Sequence, residues 1–154
     1  MTAPVFVDTN VLVYRHDSSD PAKQSRANDW ITLLVHRRAA RISFQVLQEL
    51  YVTLTRKLTP GYDRREAQDI VRDLAAWRPV AADLAAMERS WLLQQRYSLS
   101  WWDALIVAAA QSCECSVLLT EDLQHGQIFD GIRVVDPFKS PARTPAEVLE
   151  MLER

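Results

Sequence analysis

PVFVDTNVLVY, residues 4–14, joins two apolar runs through Asp8-Thr9-Asn10. Val5-Phe6-Val7 suits a buried strand, because β-branched and aromatic side chains pack well on a pleated surface. Asp-Thr-Asn suits a turn that opens a helix, since short oxygen-bearing side chains accept the first free backbone N–H groups. Asp8 is therefore expected at the carboxyl end of a strand, where open α/β sheets hold their ligands. A helix cap explains the same aspartate without any chemistry, so the rest of the chain must decide.

Outward from that stretch, short apolar runs alternate with helical periodicity. The pattern predicts strands over 4–7, 41–43, 116–119 and 132–135, with a weaker one near Pro79-Val80. It predicts helices over 22–39, 44–58, 63–77, 83–97 and 101–113. Within 44–58, Leu47, Leu50, Tyr51, Leu54 and Leu58 recur on one helical face. Ala104 to Ala110 is apolar all round, as a helix packed inside the molecule would be. Strand-then-helix alternation implies an α/β fold with a parallel sheet covered by helices. The sheet is short and the middle of the chain, 44–97, is mostly helical. The tail Ser140-Pro141-Ala142-Arg143-Thr144-Pro145 resembles a linker. Beyond it Thr144, Pro145 and Glu147 are placed to start a short helix, as N-cap, first helical residue and capping-box partner.

Composition narrows the class. The 154 residues suit one domain, and 48% hydrophobic with 25% charged residues is ordinary for a globular protein. The net charge of −2 does not mark a bulk nucleic-acid binder, although an acidic pocket ringed by basic patches is compatible with it. No apolar stretch is long enough to span a membrane, and the N-terminus lacks the basic start and apolar core of a signal peptide. A cytoplasmic location is expected. Cys113 and Cys115 are too close in sequence to bridge comfortably and too few for zinc, so they are read as free thiols. The three glycines form no phosphate-binding loop.

Four acids, each with a plain structural alternative, carry the chemistry. Asp122 follows Val117-Leu118-Leu119 as Asp8 follows Val5-Phe6-Val7: an apolar strand, then an acid in the turn. Glu121 beside it is read as facing solvent. Asp103 lies in the first turn of the apolar helix, where Ser100-x-x-Asp103 also resembles a capping box. Glu49 flanks the apolar face of helix 44–58, about 9 Å along its axis from Ser43, and reads equally as a surface glutamate. If the four converge, like charges would drive protonation unless a cation intervenes. Oxygen-only ligands suit Mg²⁺ or Mn²⁺, as one or two ions. His16 and His36 are read as surface residues, and His125 as structural in the turn before Gly126.

Three stretches together carry a resemblance. Val5 to Tyr14, then Ser98 to Ile106, then Leu118 to Gly126 with Val135-Asp136-Pro137-Phe138, resemble the motifs of PIN-domain ribonucleases, and the ending resembles that of VapC-type toxins of type II toxin–antitoxin systems. The similarity runs from about residue 4 to 138. It implies a three-layer α/β/α domain over 1–138 with a parallel sheet of four or five strands, and a C-terminal tail over 139–154. It implies metal-dependent endonucleolytic cleavage of RNA, leaving a 5′-phosphate and a 3′-hydroxyl. Asp8, Glu49, Asp103 and Asp122 match the acidic positions. Asp8 and Asp103 would be the most direct metal ligands, and Thr9, Asn10 and Thr120 would support the acids by hydrogen bonding. The resemblance further implies a VapB-type antitoxin, operator DNA bound only through that antitoxin, and a homodimer.

An acidic pocket repels RNA, so cations must bind it elsewhere. Arg37, Arg38, Arg41, Arg64 and Arg65 are candidates for phosphate, and Trp101 and Trp102 for base stacking. Rival readings are a phosphoacceptor receiver module, using Thr120 and Lys139, and an inactive PIN-like interaction domain whose acids are only caps.

Overall fold

A computed structural model describes residues 3–154. Its centre is a five-stranded sheet of β1 (Val5–Val7), β2 (Ala40–Arg41), β3 (Val117–Leu119), β4 (Ile128–Phe129) and β5 (Ile132–Val135), in the order β2-β1-β3-β5-β4. β1, β2, β3 and β5 run parallel, in the register Val5 to Ala40, Val5 to Val117 and Leu118 to Val134. Among the described residues seven helices accompany the sheet: α1 (Thr9–His16), α2 (Pro21–His36), α3 (Phe44–Arg56), α4 (Arg64–Asp73), α5 (Leu84–Tyr97), α6 (Trp101–Ser112) and α7 (Pro145–Leu152). The result is the expected three-layer α/β/α fold.

The core follows from the apolar runs. Val5, Phe6, Val7, Leu118, Leu119, Val134 and Val135 are buried on both faces of the sheet. Burying each is worth about 1.5–3 kcal/mol, and truncating Leu118 to alanine would cost about 2–5 kcal/mol through the cavity it leaves. On α3, Leu47, Leu50 and Leu54 are buried while Tyr51 and Leu58 pack at the edge. On α6, Ala104 to Ala108 and Ala110 are buried, so this helix is fixed on nearly every side.

The structure departs from the sequence expectations at element ends. α2 stops at His36 because Arg38 turns left-handed at φ 55°, which starts the chain back into β2. The helix expected over 63–77 tightens into a 3₁₀ turn at Leu74–Trp77 and ends where Arg78 is left-handed, at φ 56°. Val80 makes a single bridge to Ser43 in place of a strand. β4 was not anticipated. It pairs antiparallel with β5 across Asp130-Gly131, both at positive φ (47° and 89°), the geometry of a tight hairpin. Cys113 and Cys115 are free thiols.

The tail docks on the body. Thr144 and Glu147 form the capping box, and α7 packs against α2, burying Val148 and Leu149. Arg26 of α2 ties the approach to α7 by donating to the carbonyls of Pro137, Ser140 and Arg143 at 2.8, 2.9 and 2.7 Å. Among the described residues no helix is long and apolar enough to cross a membrane.

Candidate active site

The site forms at the carboxyl ends of β1 and β3. These strands are neighbours, and their onward connections leave in opposite directions, which opens a crevice between them. The Asp8 N–H donates to the Leu119 carbonyl at 3.0 Å and the Thr120 N–H to the Val135 carbonyl at 3.0 Å, so the last ladder bonds fix both residues side by side. Asp8 is indeed the N-cap of α1: its Oδ1 accepts from the Thr9 N–H at 2.7 Å. Capping uses one oxygen only. Oδ2 accepts from the Thr120 hydroxyl at 2.8 Å and from Asn10 Nδ2 at 3.3 Å.

Asn10 and Thr120 extend the network to Asp122. Asn10 Nδ2 lies 2.9 Å from Thr120 Oγ1 and 3.1 Å from Asp122 Oδ2, and the Asp122 N–H donates to Thr120 Oγ1 at 3.1 Å. The amide orientation of Asn10 is fixed from behind, because its Oδ1 accepts from the Glu121 N–H at 3.3 Å. Glu49 joins from α3: its Oε2 accepts from the Thr9 hydroxyl at 2.9 Å and its Oε1 from Gln45 at 3.0 Å. Ser43 caps α3, as expected. Asp103 sits in the first turn of α6 behind the Ser100 cap and is near enough for its charge to act on Asp122.

The electrostatics show what this arrangement lacks. Burial pushes the Asp8 carboxyl up to about 7, against the opposing hydrogen bonds from Thr120 and Thr9, and the charges of Asp122 and Glu49 push the same way. Asp122 is also raised, first by desolvation and then by Glu121, Asp103 and Glu49, with Asn10 opposing. A buried carboxylate already held by three donors, yet still reluctant to ionise, is short of positive charge. The donor set is entirely oxygen, which fits a hard divalent cation. Among the described residues no three acids, histidines or cysteines lie close enough together to enclose an ion on their own.

Beside the acids lies an open cleft of about 660 Å³ between α1, α3 and the turn after β3. Val13 and Val52 give it apolar wall, Gln48 and Thr53 give it polar groups, and Lys57 is the one cation among its lining residues.

In a scan against family models, the PIN domain matches residues 5–129. The chain belongs to the PIN-domain family. Among solved structures, a chain of a toxin–antitoxin complex from Klebsiella pneumoniae is similar at 24% identity and a TM-score of 0.63, covering 88% of this chain and 98% of that one. A chain of VapBC2 from Rickettsia felis, solved bound to a DNA fragment from their promoter, is similar at 15% identity and a TM-score of 0.60, covering 84% and 96%. No curated protein matches. Membership of the PIN family and the antiparallel β4 leave the receiver-module reading without support.

Within this PIN domain the sequence expectations fare unevenly. Asp8, Glu49 and Asp122 are drawn into one hydrogen-bonded network through Thr9, Asn10 and Thr120; the Asp103 carboxylate is not hydrogen-bonded to it and reaches it only as a charge felt by Asp122. His125 Nδ1 accepts from the Asp136 N–H at 3.0 Å, which ties the turn before Gly126 to the residue after β5. Glu121 does not simply face solvent; it is paired with Lys23 and Tyr14. His16 is half-buried, 3.1 Å from the Tyr62 hydroxyl. Trp101 is half-buried and stacks on Trp91, while Trp102 is exposed. Arg37 and Arg38 precede β2 at the amino end of the sheet, opposite the acids; Arg41, in register with Phe6, turns its side chain back toward them, and Arg64 and Arg65 are exposed at the start of α4. The place of Lys57 in the cleft lining and the pairing of Lys23 with Glu121 had no signal in the sequence, since an isolated lysine carries no motif.

Proposed function

We propose that this chain is a divalent-metal-dependent endoribonuclease and the toxin of a toxin–antitoxin pair. The observation that carries the reading is the convergence of Asp8, Glu49 and Asp122 at one end of the sheet, next to an open cleft and within reach of the Asp103 charge. Asp8 and Asp103 would hold one or two Mg²⁺ or Mn²⁺ ions most directly, with Glu49 and Asp122 completing the set directly or through water. When bound, the metal would acidify water at neutral pH and offset the charge that builds on the reacting phosphate.

The chain's own residues supply the rest. Thr9, Asn10 and Thr120 hold three carboxylates in fixed orientations before any ligand arrives, so no reorganisation is needed at the moment of reaction. Lys57 offers the cleft a point charge for a backbone phosphate. Val13 and Val52 offer apolar wall to a sugar or base, and exposed Trp102, next to Asp103, offers a stacking face. In-line attack would leave a 5′-phosphate and a 3′-hydroxyl. Residues 1–138 would form the nuclease domain, with 139–154 as an appended helical tail.

The structural likeness to chains of toxin–antitoxin complexes supports a VapB-type antitoxin as the silencing partner. Operator DNA would be bound only through that antitoxin, and the toxin would be a homodimer. The test is to incubate purified protein with total RNA and Mg²⁺ or Mn²⁺ and to sequence the cleaved ends. Discrete cuts with 5′-phosphates, absent with chelator and absent in Asp8→Asn, are expected. Intact RNA together with no Mn²⁺ binding by calorimetry would leave an inactive PIN-like interaction domain instead.

A further inference from the structure

Glu121 and Asp122 are adjacent acids in the turn after β3, yet their side chains part. Asp122 turns to Asn10 and the acidic network. Glu121 turns toward α1 and α2, where the Tyr14 hydroxyl donates to Oε1 at 2.5 Å and Lys23 Nζ donates to Oε2 at 2.9 Å. Lys23 Nζ also lies 3.2 Å from the Tyr14 hydroxyl, and it sits over the rings of Tyr14 and Phe138 at 4.8 and 5.0 Å. The two rings meet edge to face at 5.0 Å. Phe138 is itself fixed, because its N–H donates to Asp136 Oδ1 at 2.9 Å. An ordinary surface ion pair is worth little. This one is partly sheltered, with side-chain exposures of 35% for Lys23 and 22% for Glu121, and both partners have further ties.

We infer that Lys23 and Tyr14 are positioning residues that hold Glu121 out of the acidic cluster, so that Asp122 alone of the adjacent pair faces it. The inference rests on the nuclease reading above. Glu121 and Asp122 both line the cleft, so a released Glu121 carboxylate has open space to swing into. It is one methylene longer than Asp122 and begins one residue away. Once free, it would bring a further like charge to a crowded site and compete for the hard cation in a geometry not built for it. Lys23 and Tyr14 prevent both, one by neutralising the carboxylate and the other by fixing its direction.

The test is a cycle of variants read two ways. Lys23→Met is expected to lower RNA cleavage roughly 10-fold, the low end of what disturbing the surroundings of a metal site costs, because the released carboxylate competes for the cation. Lys23→Met with Glu121→Gln is expected to recover most of that loss, because the competing carboxylate is gone. A clamp that merely stiffens the turn predicts the reverse, with the double variant as poor as the single or worse. Calorimetry with Mn²⁺ gives the second readout: Asp122→Asn weakens binding in the otherwise native chain and loses that effect beside Lys23→Met, where Glu121 takes its place. Should Lys23→Met not fold, Tyr14→Phe deletes one hydrogen bond and no charge, and the same rescue by Glu121→Gln is expected. Native cleavage and Mn²⁺ binding in these variants, or no rescue, would overturn the inference. Asp8→Asn separates the two readings. If that variant still cuts, the nuclease site is wrong; if it is dead while the Lys23 variant behaves natively, only the clamp is wrong.

Discussion

The two ends of the sheet are chemical opposites. At the carboxyl end, the first turns of α1, α3 and α6 begin at Asp8, Ser43 and Ser100, and the acids gather there. At the amino end, α2 finishes at His36 with Arg37 as its cap, and Arg38, Arg41, Trp77 and Arg78 line a cavity of about 260 Å³. Arg41 folds back to donate to the carbonyls of Arg38 and Ala40 at 3.2 and 2.8 Å. Helix starts carry partial positive charge and helix ends partial negative charge. In a parallel sheet with helical crossovers, starts collect at one end and finishes at the other, so the fold sorts acids from arginines before any substrate is considered. The acids then go beyond what helix caps need, whereas Arg37 and Arg41 are accounted for by the helix end and carbonyls beside them.

The hardest blow to that contrast is aimed at the acids. Asp8→Asn and Asp103→Asn should each lower cleavage by more than the roughly 10–100-fold that loss of an outer partner costs, with an unchanged circular dichroism spectrum. An asparagine in place of Asp8 would keep an oxygen for the Thr9 N–H and shed a charge that is expensive to bury. The metal-free Asp8→Asn protein should therefore melt at or above the native temperature at pH 8. A dead enzyme that is no less stable marks an acid kept for chemistry; an active one would make Asp8 only a cap.

Protonation offers the next largest effect. Asp8 in the folded chain titrates at about 7 against an ordinary value of 3.8. Between those values the native state holds a proton that the unfolded state has lost, so the contribution of Asp8 to stability falls as pH rises. The loss should run from about pH 4 to 7 and level off above, with a size of order a few kcal/mol as an upper bound. A cation competes with that proton. Mg²⁺ or Mn²⁺ should thus raise the melting temperature more at pH 8 than at pH 5, by differential scanning fluorimetry in chelator-treated buffer. Equal gains at both pH values would mean that the cation does not displace the Asp8 proton.

How much of this was legible in the sequence depends on how local the cause is. β1, β3 and β5 were readable because each is a short apolar run ending in a polar turn, and Asp8 and Asp122 were readable as acids just beyond such runs. The hairpin of β4 and β5 had a local signal, Asp130-Gly131, which is easily passed over because Ile128-Phe129 is so short. The early stop of α2 had none, since Arg38 takes a left-handed conformation without glycine or asparagine. The fate of Glu121 was not local at all. Lys23 lies 98 residues earlier, and only the packing of α1 against α2 brings it there. The same holds for the arginines: Arg37-Arg38 looks like a phosphate contact in sequence, and only the direction of β2 shows which end of the sheet it occupies.

The smallest effect tests that last point. Lys57 lines the cleft beside the acids and Arg38 lines the cavity at the far end. Each is exposed, so alanine at either should leave stability within about 0.5 kcal/mol. A cation that touches a phosphate releases counterions on binding, and removing it should lower the slope of log affinity against log salt by about 1 for single-stranded RNA or slightly less. Lys57→Ala should show that change with an RNA bound to the Asp8→Asn protein, read by fluorescence anisotropy across a salt series. Arg38→Ala and Arg41→Ala should leave the slope where it was. A flattened slope in the arginine variants would require RNA to reach the amino end of the sheet, and a substrate long enough to do so would have to run around the edge at β2, the strand that carries Arg41 and pairs with β1 on one side only.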